Sequence, residues 1–162
     1  MRKILLIPFI AIFLVSCQDK TKKKEDSVSP IPLDSAIVGK ADINFKSNPK
    51  AELYRTVITE KYNKLDVNFA SYYVITTWGC GSGCVTGVMV DARDGFVYSM
   101  PEDKDWGGNG TYIESKKESK VLKTVAVAQS SLEIEEIRKY WEWDEDIKKF
   151  KFLKEETVLV KK

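Results

Sequence analysis

The chain has 162 residues, 26 basic and 24 acidic side chains, no histidine, and three cysteines at positions 17, 80 and 84. That length fits one domain plus a tail. The balanced charge excludes a phosphate-tracking nucleic-acid binder, which needs a basic face. Lack of histidine removes Ser-His-Asp and Cys-His catalysis and the usual nitrogen ligands for zinc or copper. We therefore expect no catalytic residue, no metal and no cofactor.

Met1-Arg2-Lys3 precedes an uncharged apolar run from Ile4 to Val15, followed by Ser16 and Cys17. A basic start, a short hydrophobic stretch and a small residue before the cut describe an export signal. The run is shorter than the about 20 residues of a membrane-spanning helix. Leu14-Val15-Ser16-Cys17 resembles the lipobox of bacterial lipoproteins, in which the cysteine thiol is acylated and becomes the new N-terminus. The resemblance implies a signal peptide over 1–16 and a lipid anchor at Cys17. It places the protein in the bacterial cell envelope, facing the periplasm or the cell surface. Gln18 at the second position leans toward the outer membrane rather than the inner. Removing Arg2 and Lys3 leaves 24 basic against 24 acidic residues, a neutral mature chain.

Residues 17–37 are polar, charged and proline-bearing, with Ser27-Val28-Ser29-Pro30-Ile31-Pro32. Such a stretch buries too little apolar surface to offset its ordering entropy, so a lipid-anchored flexible linker is expected. Residues 38–162 form the expected single domain. Ser47-Asn48-Pro49 signals a helix start. Leu53, Tyr54, Val57, Ile58 and Tyr62 continue at helical spacing, predicting one helix over 49–62.

From residue 72 the texture becomes that of strands. Tyr72-Tyr73-Val74-Ile75-Thr76-Thr77-Trp78 is aromatic and β-branched throughout, the composition of a well-buried strand. Strands over 85–91 and 96–100 flank Ala92-Arg93-Asp94-Gly95, a hairpin turn. A polar loop over 101–110 surrounds Trp106, and a further strand covers 121–128. A last hairpin joins 137–143 to 147–153 about Asp144-Glu145-Asp146, with Phe150 and Phe152 on one face. The expected fold is α+β: one N-terminal helix packed on a mostly antiparallel β-sheet.

The densest motif is Trp78-Gly79-Cys80-Gly81-Ser82-Gly83-Cys84. Outside the cytoplasm Cys80 and Cys84 should be oxidised to a disulfide. The glycines permit the positive φ of a tight closure. So short a ring contributes only about 2 kcal/mol, fixing the shape of one loop more than the stability of the fold. Trp78, Gly79, Gly81, Ser82 and Gly83 are the candidate binding loop; the alternative is a tight strand connection that happens to be stapled. Redox catalysis is disfavoured, since nothing nearby lowers a thiol pKa.

Asp91, Asp94, Glu102, Asp103 and Asp105 could make a carboxylate-based hydrolase, and Asp103-Lys-Asp105 begins like a calcium loop, but glycine stands where a third ligand belongs. Turn chemistry explains these residues as well. Trp141 and Trp143 share a strand face with Ile137, for which core packing is the default and sugar stacking the minority reading.

Asn68-Phe69-Ala70-Ser71-Tyr72-Tyr73, then the Trp78–Cys84 motif, then Asp91…Gly95-Phe96-Val97-Tyr98, resembles small exported bacterial proteins and lipoproteins. Their pattern runs N-F-A-G-H-Y, W-G-C-G-T-G-C and D-x-x-x-G-x-V-Y. Ser119-Lys120-Val121-Leu122 and Tyr140-Trp141-Glu142-Trp143-Asp144 extend the likeness. The chain departs from it at Ser71 and Tyr72, where that group has Gly-His. The resemblance implies fold and export and assigns no activity. A looser, fold-level likeness is to the periplasmic inhibitor of vertebrate lysozyme, which plugs a cleft with a disulfide-closed loop.

Three functions follow as expectations. The leading one is a non-enzymatic binding or envelope-structural module, held to the membrane by its lipid, with an envelope protein or glycan as partner. The others are an inhibitor of a cell-wall hydrolase and a carboxylate hydrolase using Asp91.

Overall fold

The computed structural model describes residues 39–81, 83–101, 111–129 and 134–160. Cys17, the signal and linker segments, Ser82, and the loop carrying Glu102, Asp103, Asp105 and Trp106 lie outside the described residues. A 3₁₀ turn (Phe45–Ser47) leads into α1 (Pro49–Leu53) and α2 (Arg55–Lys64). Seven strands follow: β1 (Tyr73–Gly81), β2 (Cys84–Asp91), β3 (Val97–Ser99), β4 (Tyr112–Glu114), β5 (Val121–Gln129), β6 (Ile134–Asp144) and β7 (Lys149–Val160). The fold is α+β, with the strands divided between two antiparallel sheets, β1-β2-β3 and β4-β5-β6-β7.

The division explains why β1 reads as apolar on both sides. Val74 faces the helices and joins Ala51, Ile58, Tyr62, Val88, Val90 and Val97 in one core. Ile75 points the other way and joins Phe69, Tyr73, Met89, Leu122 and Trp143 in a second core, between the sheets. A helical layer, a three-stranded sheet and a four-stranded sheet are thus stacked in that order.

The helix start is where expected: the Asn48 side chain accepts a hydrogen bond from the Lys50 backbone at 2.9 Å, with Pro49 in the first turn. The expected single helix, however, is broken at Tyr54 (φ −111°, ψ 28°). Leu53, counted on the apolar face, is 82 % exposed, and Tyr54 is exposed as well. The stripe that packs is Ala51, Ile58 and Tyr62, and Leu53 lies two residues, or about 200°, round the helix from Ala51. The small Ala51 lets α1 sit close on the sheet. At the far end of α2 the Lys40 ammonium donates to the carbonyls of Tyr62 and Leu65, a cation where the helix dipole is negative.

The final hairpin is longer than its aromatic half predicts. β7 runs to Val160 rather than ending at Leu153, because Thr157, Val158, Leu159 and Val160 pair with Ile137, Glu136, Glu135 and Ile134. Ile147, expected to open that strand, sits exposed in the turn. β4 is only three residues long and was not anticipated.

Just before β1 the chain bends sharply, with Ala70 at φ 44° and Ser71 at φ 65°. Their backbone N–H groups donate to Ser119 and Lys117 carbonyls, which docks the bend on the second sheet's entry. A left-handed backbone costs a side-chain-bearing residue about 1–2 kcal/mol. Ser71→Gly should therefore stabilise the chain by about 0.5–1 kcal/mol net of the extra freedom glycine gains when unfolded. Urea titration reads this directly, and no gain would mean that the Ser71 side chain offsets the strain.

Candidate functional site

The β1–β2 hairpin carries chemistry at both ends. At its closed end Trp78 pairs with Thr86 and Gly79 with Val85, after which the register shifts and Gly81 pairs with Cys84. Cys80 and Cys84 are disulfide-bonded, with Cα atoms 5.1 Å apart. Gly81 (φ 119°) and Gly83 (φ 75°) take the left-handed conformations that close so short a ring. Gly79, Cys80 and Gly81 are exposed, whereas Gly83 and Cys84 are half-buried. A Cβ built on Gly81 meets nothing, so the tip is open to solvent on that side.

Trp78 roots this tip. Its ring lies 5.2 Å from that of Tyr54, on the edge of the helical layer. The indole Nε1 is buried and has no hydrogen-bond partner among the described residues. Tyr54, itself exposed, is thus the ring against which the indole packs.

The open end of the same hairpin holds a polar clasp that the sequence did not single out. Asp91 ends β2, and its carboxylate accepts from Arg93 Nε at 2.8 Å and Nη2 at 2.5 Å, and from the Arg93 backbone at 2.9 Å. Arg93 Nη2 also donates to Tyr73 Oη (3.1 Å) and Glu145 Oε1 (2.8 Å). Glu145, in the β6–β7 turn, accepts further bonds from Tyr73 Oη (2.6 Å), Trp143 Nε1 (2.8 Å) and Lys148 Nζ (2.5 Å). Two cations, two carboxylates and a phenol thus tie the first sheet to the second. The Arg93 guanidinium also lies 4.4 Å over the Tyr72 ring.

The electrostatics follow from the geometry. Burial alone would raise the Glu145 carboxyl, but hydrogen bonds from Arg93, Lys148, Tyr73 and Trp143 outweigh it and hold its pKa at about 2. Burial, then the hydrogen bond to Glu145, pushes the Tyr73 phenol well above its ordinary value. Pairing with Asp91 raises Arg93. A carboxyl with a depressed folded pKa adds stability above its unfolded value near 4.5, and that stability is lost as pH falls toward 2. Glu145→Gln should accordingly flatten the acid limb of the stability curve between about pH 4.5 and 2. Urea midpoints taken across that range test it; an acid limb as steep as wild type would mean that other carboxylates carry the transition.

Asp91, proposed from sequence as a hydrolytic carboxylate, is 1 % exposed and fully engaged by Arg93. A cleft of about 560 Å³ lies between the 40–45 segment and α2, lined by Lys40, Asp42, Ile43, Phe45, Thr59 and Tyr62. Asp42 is the one carboxylate in that lining. Among the described residues no group of three or more His, Cys, Asp or Glu is placed to hold a metal ion. Trp141 and Trp143 share a face as expected: Trp143 is buried, while Trp141 is half-buried and donates to Thr124 Oγ1 at 3.1 Å.

Tip and clasp are separated by the length of β1, eight residue steps or about 26 Å. The candidate loop residues Trp78, Gly79 and Gly81 are brought together with the disulfide; Arg93, Glu145 and Lys148 are the residues that sequence reasoning missed. Their signal was slight: an arginine two positions after an aspartate across a turn, and a glutamate two positions after a buried tryptophan. Comparison with known proteins finds no matching family model, no matching curated protein and no matching solved structure.

Proposed function

We propose that this chain is a lipid-anchored module of the bacterial cell envelope that binds a protein or glycan partner through its disulfide-closed hairpin tip and carries out no chemistry of its own. The exposed 79–81 segment carries the reading: it is stapled by Cys80–Cys84 and rooted on Trp78, whose ring packs on Tyr54. A pre-shaped loop loses little conformational entropy on binding, which favours a recognition role. The anchor is Cys17, with the outer membrane, facing periplasm or cell surface, as its location; the lipobox-like Leu14-Val15-Ser16-Cys17 supports this.

Inhibition of a cell-wall hydrolase is the second reading, because an exposed hairpin end suits insertion into an enzyme cleft. The carboxylate hydrolase receives no support, since Asp91 is buried in an ion pair.

The test is a crosslinked pull-down from envelopes with wild type and Cys80→Ser/Cys84→Ser. The expected result is a partner recovered by wild type and lost by the double variant, with both forms equally membrane-bound. Identical recovery by the two would remove the tip as the binding element. If the recovered partner is a muralytic enzyme slowed by added chain, the inhibitor reading holds. A Cys17→Ser variant released from the membrane separates the anchor from the tip.

A further inference from the structure

We propose that β7 is a self-association edge, along which two copies of this chain pair antiparallel about a two-fold axis and join their four-stranded sheets into one. β7 is the outer strand of its sheet and, among the described residues, pairs only with β6. It is 12 residues long, about twice a usual strand, and contains neither proline nor glycine to interrupt pairing. Phe152, Leu153 and Leu159 on it are 54 %, 48 % and 59 % exposed. An outward row of backbone donors and acceptors beside exposed apolar side chains is a template for strand addition.

Charge selects the occupant. The basic residues Lys149, Lys151 and Lys154 fall in the first half of β7 and the acidic Glu155 and Glu156 in the second. A second copy running antiparallel sets the basic half of each strand against the acidic half of the other. Parallel in-register stacking would instead oppose like charges, which is unfavourable across paired strands. The strand is therefore complementary to itself in one direction only.

The present partners of these charges lie on β6, its turn or β7 itself: Lys151 pairs with Asp144 across the hairpin, Glu156 accepts from the Tyr140 hydroxyl at 2.5 Å, Lys154 lies 4.7 Å over the Tyr140 ring, and Lys139 lies 3.6 Å from Glu155. They can be shared with a neighbouring strand without being buried. One irregularity in the β6–β7 pairing leaves Leu153 without a partner, as Trp141 opposes Phe152 and Tyr140 opposes Lys154. That bulge twists the strand locally, and the pairing on either side of it remains regular. Among the described residues the opposite edge of the sheet is β4, only three residues long, and a two-fold pairing of β7 uses up the long edge of each copy, so pairing closes at two copies.

The experiment is sedimentation equilibrium of the full chain in detergent, which accommodates the N-terminal apolar run. A dimer is expected for wild type. Lys149→Glu/Lys151→Glu/Lys154→Glu makes β7 wholly acidic, and Glu155→Lys/Glu156→Lys makes it wholly basic. Each variant alone should self-associate about tenfold more weakly or worse, the equivalent of a few exposed ion pairs. An equimolar mixture of the two should recover a dimer, because each strand now complements the other. Circular dichroism of each variant establishes that it is folded, and recovery in the mixture cannot arise from variants that fail to fold. A monomeric wild type overturns the proposal. So do a dimer indifferent to both substitutions, and variants that fail to pair with each other.

Discussion

Gly95→Ala is expected to lower the unfolding free energy by about 3 kcal/mol or more, among the largest single-residue effects in this chain. Gly95 closes the β2–β3 turn at φ 74°, a conformation that costs an alanine about 1–2 kcal/mol. Space is the harder constraint: an added Cβ would lie 1.8 Å from the Asp42 carbonyl oxygen and 3.2 Å from the Asn44 nitrogen. Those are backbone atoms and cannot swing aside. The 41–44 segment must retreat, giving up the Asn44-to-Gly95 and Ala41-to-Ala92 backbone bonds, each 2.9 Å, and each worth about 1 kcal/mol net. The Tyr62 hydroxyl, which donates to the Ala41 carbonyl at 3.0 Å, would lose its acceptor too. Urea denaturation gives the loss; a cost below about 1 kcal/mol would mean that this segment is held from elsewhere.

Trp143→Ala should cost about 3–5 kcal/mol. The residue is 1 % exposed, and its ring centroid lies 5.3 Å from Tyr73, 5.2 Å from Tyr98 and 5.0 Å from Phe150, so it touches both sheets at once. Its N–H also donates to Glu145, the hub of the clasp. Trp143→Phe divides the two contributions. It keeps most of the aromatic volume and removes the donor, for an expected cost of about 1–2 kcal/mol. If alanine proves no more destabilising than phenylalanine in the same denaturation experiment, ring packing is not what holds the sheets together.

The elements legible in the sequence were those set by local rules. Asn48-Pro49 starts a helix whatever lies around it, and the β-branched run of β1 needs burial on both faces. The two cysteines of the tip sit four apart with glycines between them, and they pair as their spacing suggests. What stayed hidden depends on partners far away in the chain. Leu53 was counted on the apolar face, but the face that packs is set by Ala51, and Leu53 lies on the opposite side of α1 from it. The second half of β7 is a charged and aliphatic stretch whose strand is defined by β6 opposite it. The clasp joins residues 73, 91, 93, 145 and 148, and no window of sequence contains them together. Arg93 and Glu145 each read as ordinary turn residues until the sheets stack and bring them within 2.8 Å of each other.

The β1–β2 hairpin is fastened at two places along its length. The clasp holds it at Tyr73 and Asp91, and Trp78, packed on Tyr54 and the helical-side core, holds it beside the stapled tip, about 26 Å from the clasp along the strand. Effects of substitutions separated by more than about 10 Å add nearly independently. Substitutions at the solvent-open Gly81 should therefore leave the clasp and its acid-dependent stability intact, so the two ends of one hairpin can change independently of each other.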